Sequence, residues 1–600
     1  MGNCRAERPG PAGARPGRDG PGAARSPPAR PARRRLSPCP EEAALSDIKP
    51  AQGKAFDVAI LGSGVAGSML AAILARNGVD TLLVDASVHP KFAIGESTIP
   101  NMLVSLRTMA ARYGVPELVT LSTFTGCTKI IGPSFGVKNH FGFLQHQEGK
   151  PQDPQQVTMF NFPKLLHETA HLFRQDSDAY LFYAAVKYGA KVRQNFRVAD
   201  VDFDGSGVTI SSDQGEQYRA RYVVDASGYR SPLADKLNLR EDPCRFKHHS
   251  RSLWNHMVDV PRTDAIFPRA KQDTPPVPWY EGTVHHLFER GWFWVIGFDN
   301  HPSSRNPLCS VGLTFDPRKY PIPSDMTPEE EFYFHANRFP DVARQFEGAR
   351  PVRPWVRTGD RLQYSSKQTV GDRWLLLSHA AAFLDPLFSR GLSNTCESVN
   401  ASAWRIIRAV KDDDFSGERF KYVDRLQQAL FDGNDKLVNA AYISFEDYAL
   451  WTAVFRIWAW GSNAGTFRQQ QAFSRWQRTG DEAHLRELED VQNPGLHWSD
   501  HDGYSGLFDH MVEVTDAAEA GTMTHAAAAD ALYDHLNSAD FVPRHFGWTE
   551  RNLRFINPTP LVLAKTMLWA ARNAPPDVKK LMLGFVKEAS LEMLHGRRIF

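Results

Sequence analysis

Residues 56–85 constrain this chain more than any other stretch. Phe56 to Leu61 reads FDVAIL, a short apolar run of the kind buried in a parallel sheet. It leads directly into Gly62-Ser63-Gly64-Val65-Ala66-Gly67. The next stretch, SMLAAILARN, has helix formers and an apolar face, and Gly78 stops it. A second apolar run, Thr81 to Val84, ends in Asp85, 21 residues after Gly64. Each part has a physical job. Gly62 permits a tight turn. Gly64 lets the backbone, with Val65 and Ala66, approach a pyrophosphate at the positive end of the helix. Gly67 lets helix and strand pack closely, and Asp85 can accept hydrogen bonds from an adenosine ribose. The ordered set of strand, glycines, helix, second strand and acid predicts a Rossmann-like α/β dinucleotide-binding fold. It does not distinguish FAD from NAD.

Composition sets the outer bounds. Six hundred residues allow about four domains at roughly 150 residues each. The chain is 42% hydrophobic and 23% charged, an ordinary globular balance. A mean hydropathy of −0.40 and the lack of any uninterrupted apolar run of ~18 residues argue against a membrane span. A net charge of +2 shows no bias toward nucleic acid. Residues 1–40 stand apart, with nine Arg and nine Pro, and a local charge of +7 against −5 for the remainder. With almost nothing apolar to bury, residues 1–50 are expected to be a disordered tail. No apolar stretch follows the arginines, so the tail does not read as a secretory signal. The six cysteines, at 4, 39, 127, 244, 309 and 396, have neither metal nor CxxC spacing. The expectation is a reduced, cytoplasmic protein with no metal site and no membrane or nucleic-acid partner. The organisation expected beyond the tail is a nucleotide-binding and catalytic core over 51–426 and a helical region over 427–600.

Two later blocks address the choice of nucleotide. Tyr222 to Gly228 reads YVVDASG. Gly371 to Pro386 reads GDRWLLLSHAAAFLDP and is followed by LFSRGLSNT. With the first motif these resemble the flavin hydroxylases and their relatives. The resemblance implies FAD, contacted by Asp225 in the second block, by Asp385 in the third, and by Arg174 in FRQDSDAYL. It also implies a mixed β-sheet substrate domain interleaved with the FAD-binding fold. No second GxGxxG unit is available for NADPH.

Ser378-His379 stands where the hydroxylases carry Gly-Asp, a departure shared by the flavin-dependent halogenases. Further stretches resemble that family: GESTIPN from Gly95 to Asn101, Thr128-Lys129-Ile130 placing a lysine 34 residues after Gly95, GWFWVI from Gly291 to Ile296, and DPLFSRG from Asp385 to Gly391. Together they span about Phe56 to Asn400. The resemblance implies that reduced FAD and dioxygen oxidise chloride to hypochlorous acid, with a separate flavin reductase supplying the reduced FAD. It further implies that Lys129 holds the electrophile beside the ring and that Trp292 and Trp294 shield the flavin. Backbone amides of Gly391 and Leu392 would bind halide, and Glu96 is the candidate base. Plain structural readings stand beside these: an edge lysine, packed tryptophans, a turn-capping glutamate. Gly297 departs from the family's proline. Phe388 replaces the glutamate of the tryptophan halogenases, as in halogenases of phenols and pyrroles. The implied substrate is an electron-rich aromatic, a phenolic polyketide of tetracycline type or a pyrrole, in antibiotic biosynthesis. The rival readings are an aromatic hydroxylase and a non-catalytic flavin-binding protein.

Beyond Gln427, Tyr442, Phe445, Tyr448, Trp451, Phe455 and Trp458 recur every three or four residues, which predicts one helix face, mainly core. The polar stretch 469–503 is expected to be a lid or loop. Two amphipathic helices are expected over 561–573 and 576–594.

Overall fold

The computed structural model describes residues 55–162, 169–267 and 274–594. The tail over 1–50 lies outside them. The described residues form one unit.

Phe56–Leu61 forms a central strand of the first sheet. In the order Trp374–Leu376, Gln217–Asp225, Phe56–Leu61, Thr81–Val84, Lys191–Arg193 the neighbours are all parallel. Parallel strands are covered on both faces, which is why FDVAIL alternates poorly. Val58 and Ile60 pack with Leu70, Leu181 and Ile406, from helices Val65–Arg76, Arg174–Lys187 and Arg390–Asp412. Ala59 and Leu61 face the other way, toward the second sheet. The glycine turn fits because side chains are impossible at two of its positions. A Cβ on Gly67 would lie 1.9 Å from the Gly62 carbonyl oxygen. One on Gly62, whose φ is +96°, would lie 2.6 Å from Ser227 Cα.

The second sheet is mixed. Its path runs Arg350–Pro351, Arg251–Val258, Cys309–Phe315, Gly291–Gly297, Thr283–Phe288, His140–Gln145, Val157–Asn161, Phe555–Ile556. The pairs are antiparallel except Thr283–Phe288 with His140–Gln145 and the final pair. Strand alternation sends Trp292, Trp294 and Ile296 toward the first sheet, and Phe293 and Val295 to the outer core. Gly297 continues this strand, paired with Cys309.

The C-terminal aromatic stripe is divided between two helices. Lys421–Ser444 ends before Phe445, and Tyr448–Thr479 begins after Asp447, whose carboxylate accepts the Leu450 N–H at 2.8 Å as an N-cap. The expectation of one continuous helix face is therefore corrected. The core reading stands for five of the six residues, since only Tyr448 is partly exposed. The expected polar loop is also shorter: residues 469–479 are helical, and the chain leaves the helix at Gly480 with φ +72°. The last two helices are Pro560–Arg572 and Pro576–Leu594. Strand Phe555–Ile556 joins the C-terminal region to the second sheet. The apolar core continues across both. Among the described residues no helix is long and apolar enough to cross a membrane.

Candidate active site

A cavity of about 1130 Å³ opens between the two sheets. Gly62, Gly64, Val65, Ala66 and Asp85 line one end; Trp292, Trp294, Ile296, Ser389, Gly391 and Leu392 line the other. At the glycine end, nothing lies within 4 Å of where a Gly64 Cβ would be. That open cradle at the start of a helix fits a pyrophosphate held on backbone amides. Gly67 is absent from the lining and serves helix packing. Asp85 is strongly held in place. One carboxylate oxygen accepts Ser63 N and Oγ, both at 2.7 Å, and pairs with Lys91; the other accepts Ser87 N at 2.8 Å and Oγ at 2.7 Å. Burial would raise this carboxyl, but the Lys91 ammonium and the donated hydrogen bonds hold it well below the usual range.

Arg174 reaches the cavity wall from the first turn of its helix. Its guanidinium binds both oxygens of Asp178, at 2.8 and 2.9 Å, and donates to the carbonyls of Ile94 and Gly95. Asp225 does not line the cavity, which corrects its expected contact with the nucleotide. Fully buried, it accepts Ser227 N and Oγ, Ser231 Oγ and Leu233 N, and so shapes the turn that brings Ala226, Ser227 and Gly228 to the wall. Burial shifts its carboxyl upward despite these donors. Ser378 and His379 also line the cavity, and burial lowers His379 to about 4.

Asp385 lies at the base of the tryptophan wall. Its Oδ2 accepts Ser250 Oγ and Tyr442 OH, both at 3.0 Å, and is 3.2 Å from His248 Nε2. Tyr442 OH in turn accepts Trp292 Nε1 at 3.0 Å. Burial and the neighbouring Asp385 push the Tyr442 phenol well above its ordinary value, so it stays a donor. Trp294 Nε1 donates to Ser310 Oγ at 3.2 Å, and the two indoles lie 5.6 Å apart. Tyr442→Phe removes the acceptor of a buried indole N–H and a donor to Asp385. It is expected to destabilise the fold by about 1–3 kcal/mol in denaturant titration.

Gly391 and Leu392 sit in the first turn of Arg390–Asp412. The cap residue Ser389 makes no side-chain hydrogen bond to that turn; its Oγ donates instead to Ser97 Oγ at 2.9 Å. First-turn N–H groups without a cap are an anion site when they border a cavity.

Lys129 is not at this site. It occupies the last turn of helix Phe124–Ile130, exposed and outside the cavity lining. Thr123 caps that helix by accepting Gly126 N, so Lys129 is an exposed helix residue and not a strand-edge lysine. The lysine beside the GESTIP segment is Lys138, on strand Gly136–Lys138. It is fully buried and donates to Ser97 Oγ at 2.6 Å and to the Thr98 carbonyl at 2.8 Å. Its Nζ lies 3.5 Å from the Phe141 ring centroid. Burial pushes its ammonium well below the usual lysine value. Ser97 also meets Thr283 Oγ1 at 2.9 Å, and Thr283 meets His171 Nε2 at 3.0 Å. Ser97, Thr283 and Ser389 line the cavity, so Lys138 stands directly behind a wall of hydroxyls. Strand Thr169–His171 positions this cluster: Thr98 Oγ1 donates to the Ala170 carbonyl, and Leu172 N to the Glu96 carbonyl. Glu96 is buried on the cavity wall, its carboxylate 3.1 Å from His256 Nε2. Sequence reasoning missed Lys138, Thr283, His171 and Ser389. One signal was available for Lys138, a lone charge inside the apolar run FGVKNHFGFL.

The profile described as FAD binding domain matches residues 55–277. Tetracycline 7-halogenase of Kitasatospora aureofaciens is 48% identical over 538 residues, covering 90% of this chain and 97% of that protein. Monodechloroaminopyrrolnitrin halogenase PrnC of Pseudomonas fluorescens is 44% identical over 533 residues, covering 88% and 93%. A crystal structure of halogenase PltM in complex with phloroglucinol and FAD superposes with a TM-score of 0.80 at 33% identity, covering 84% of this chain and 99% of that one.

Proposed function

The chain belongs to the flavin-dependent halogenases, and from that premise we propose that it chlorinates an electron-rich aromatic ring, a phenolic polyketide of tetracycline type or a pyrrole, with Lys138 as the residue that holds the electrophile. One observation carries the reading: a fully buried lysine behind a hydroxyl wall, beside a nucleotide-sized cavity walled by two tryptophans. When bound, reduced FAD with dioxygen and chloride supplies hypochlorous acid.

The chain's own residues do the rest. Gly62, Gly64, Val65, Ala66, Asp85 and Arg174 would hold the nucleotide, and the N–H groups of Gly391 and Leu392 the halide. Trp292 and Trp294 exclude water and substrate from the flavin. Lys138 donates through its ammonium or, as the free amine toward which burial shifts it, would exchange an N–H for chlorine from hypochlorous acid with release of water. Either form keeps a destructive oxidant in one place beside the ring. Glu96 is the base for the proton lost on substitution. Phe388, buried against Trp458 at 4.7 Å between centroids, supplies no carboxylate at the position where the tryptophan halogenases carry glutamate, which supports a phenol or pyrrole substrate over an indole.

The test supplies purified protein with FAD, an unrelated flavin reductase, NADH, chloride and a panel of phenols and pyrroles, and reads chlorine isotope patterns in the product. Hydroxylated product without chlorine overturns the proposal in favour of a hydroxylase. A product-free reaction leaves only flavin binding. Without the reductase, the protein is expected to consume neither NADH nor NADPH, with or without substrate, because only one dinucleotide motif is present. Absorbance of the nicotinamide follows this directly.

A further inference from the structure

His285 is a buried imidazole that the mechanism above does not use. Strand Thr283–Phe288 reads TVHHLF, and alternation turns Thr283, His285 and Leu287 toward the first sheet. Around His285 that face is aromatic. The imidazole stacks on Phe143 at 4.4 Å and on Phe141 at 5.8 Å between centroids, and it lies 5.2 Å from Trp292. Trp294 is its register partner on strand Gly291–Gly297. A polar ring in such a face is costly unless both of its nitrogens are answered.

Only one nitrogen is answered by the chain. Nδ1 lies 2.9 Å from the Gly142 carbonyl oxygen. A carbonyl only accepts, so Nδ1 carries the proton and Nε2 of the neutral ring is a bare acceptor. Nε2 has no hydrogen-bond partner among the described residues, and the ring, 1% exposed, lines the large cavity. Burial lowers the imidazole to about 3, with the Gly142 bond opposing the shift. The ring therefore stays neutral and accepts a hydrogen bond without taking the proton.

Neighbouring histidines are committed or face elsewhere. His171 is held between Thr283 Oγ1 and the Gly297 carbonyl, and His256 meets Glu96. His286 turns to the outer core, against His146 and Phe267. His379 also lines the cavity, but it packs on Phe383 and feels the charge of Arg174, at the nucleotide end.

His285 stands beside the Lys138 cluster. Thr283, two residues earlier on the same face, meets the Ser97 hydroxyl that accepts Lys138. Phe141 carries the Lys138 ammonium on its face and the His285 ring beside it. Ser97, Thr283, His285, Trp292 and Trp294 all line one cavity, so a single small ring can meet the acceptor and the hydroxyl wall together.

We propose that His285 Nε2 accepts a hydrogen bond from the ring donor of the aromatic substrate, a phenol O–H or a pyrrole N–H, and so orients the ring at the hydroxyl wall in front of Lys138. This deepens the halogenase reading and rests on it for the identity of the occupant. A hydrogen bond to a neutral base also pushes electron density from the donor atom into the ring, which favours electrophilic substitution. The competing occupant of Nε2 is water.

Calorimetry on the oxidised, FAD-loaded protein compares phenol with toluene and pyrrole with thiophene, two pairs of similar shape that differ in the ring donor. His285→Asn keeps an amide N–H for Gly142 and removes the acceptor; His285→Gln returns an amide oxygen near the place of Nε2. In His285→Asn the phenol-to-toluene or the pyrrole-to-thiophene affinity ratio is expected to fall about tenfold, and His285→Gln should recover part of it. The pair whose ratio falls names the donor. Flavin titration checks each variant. If His285→Asn does not retain FAD, His285→Phe, which keeps a stacked ring without an acceptor, takes its place. Both ratios unchanged from wild type overturn the proposal, since Nε2 then faces water alone. An equal fall in the acceptor-free variant and in His285→Gln overturns it as well, because the imidazole then matters for packing and not for its acceptor. Because binding is read without turnover, a protein that passes this test yet makes no chlorinated product fails the functional reading only.

Discussion

Lys138→Met lowers the rate of chlorinated product formation by on the order of 1000-fold, the range lost when a positioned group at the reacting atoms is removed. Methionine keeps the length and apolar stem of lysine in a fully buried site and removes the only atom that reaches Ser97 and Thr98. FAD affinity should change little, because Lys138 does not line the nucleotide cavity. NADH consumption through the reductase should continue, with hypochlorous acid escaping to solvent instead of reaching the ring. Lys129→Ala is the matched control: an exposed side chain on the Phe124–Ile130 helix, whose removal leaves the product rate at wild type. Near wild-type chlorination by Lys138→Met, or its loss in Lys129→Ala, reverses the assignment of the lysine. Isotope-resolved mass spectrometry of the product decides both.

Gly64→Val weakens FAD binding by about 100-fold or more while leaving the apoprotein folded, since its side chain fills the space where backbone must meet pyrophosphate. The backbone at Gly64 has φ −68°, which valine accepts, and its Cβ meets no atom of the chain within 4 Å. The strain therefore falls on the ligand alone. Gly67→Ala gives the opposite result. Its Cβ would lie 1.9 Å from the Gly62 carbonyl, so the helix must move off the sheet and the melting temperature drops. Flavin fluorescence titration and thermal unfolding, run on both variants, separate a ligand-facing glycine from a packing glycine. A normal flavin titration for Gly64→Val would remove the cradle from the binding site.

The nucleotide half was legible because its signals are local. A strand, three glycines, a helix and a terminal acid lie within thirty consecutive residues, and the packing reason for Gly67 holds within that unit, whereas the close neighbour of Gly62 is Ser227 of the second block. The GESTIP segment, the tryptophan strand and the Gly391-Leu392 turn were likewise found as contiguous words, and all three reach one cavity. Asp225 shows the limit of such words. The motif locates the residue, but whether its carboxylate faces a ligand or its own turn depends on where Ser231 and Leu233 fold back.

Lys138 shows the limit more sharply. Counting from Gly95 selected Lys129, and nothing local separates the two lysines. What separates them is burial, created when Thr169–His171 pairs with Gly136–Lys138 and docks the GESTIP segment over it. The aromatic stripe divides in the same way: its spacing is helical throughout, while Asp447 caps a new helix in the middle. Sequence alone determined the Rossmann-like unit, the flavin chemistry and the families of segments that meet, since backbone geometry and glycine placement act over a few residues. Only the tertiary structure decided which lysine is desolvated and which aspartate turns inward. Desolvation and electrostatic pairing are set by atoms far apart in the chain.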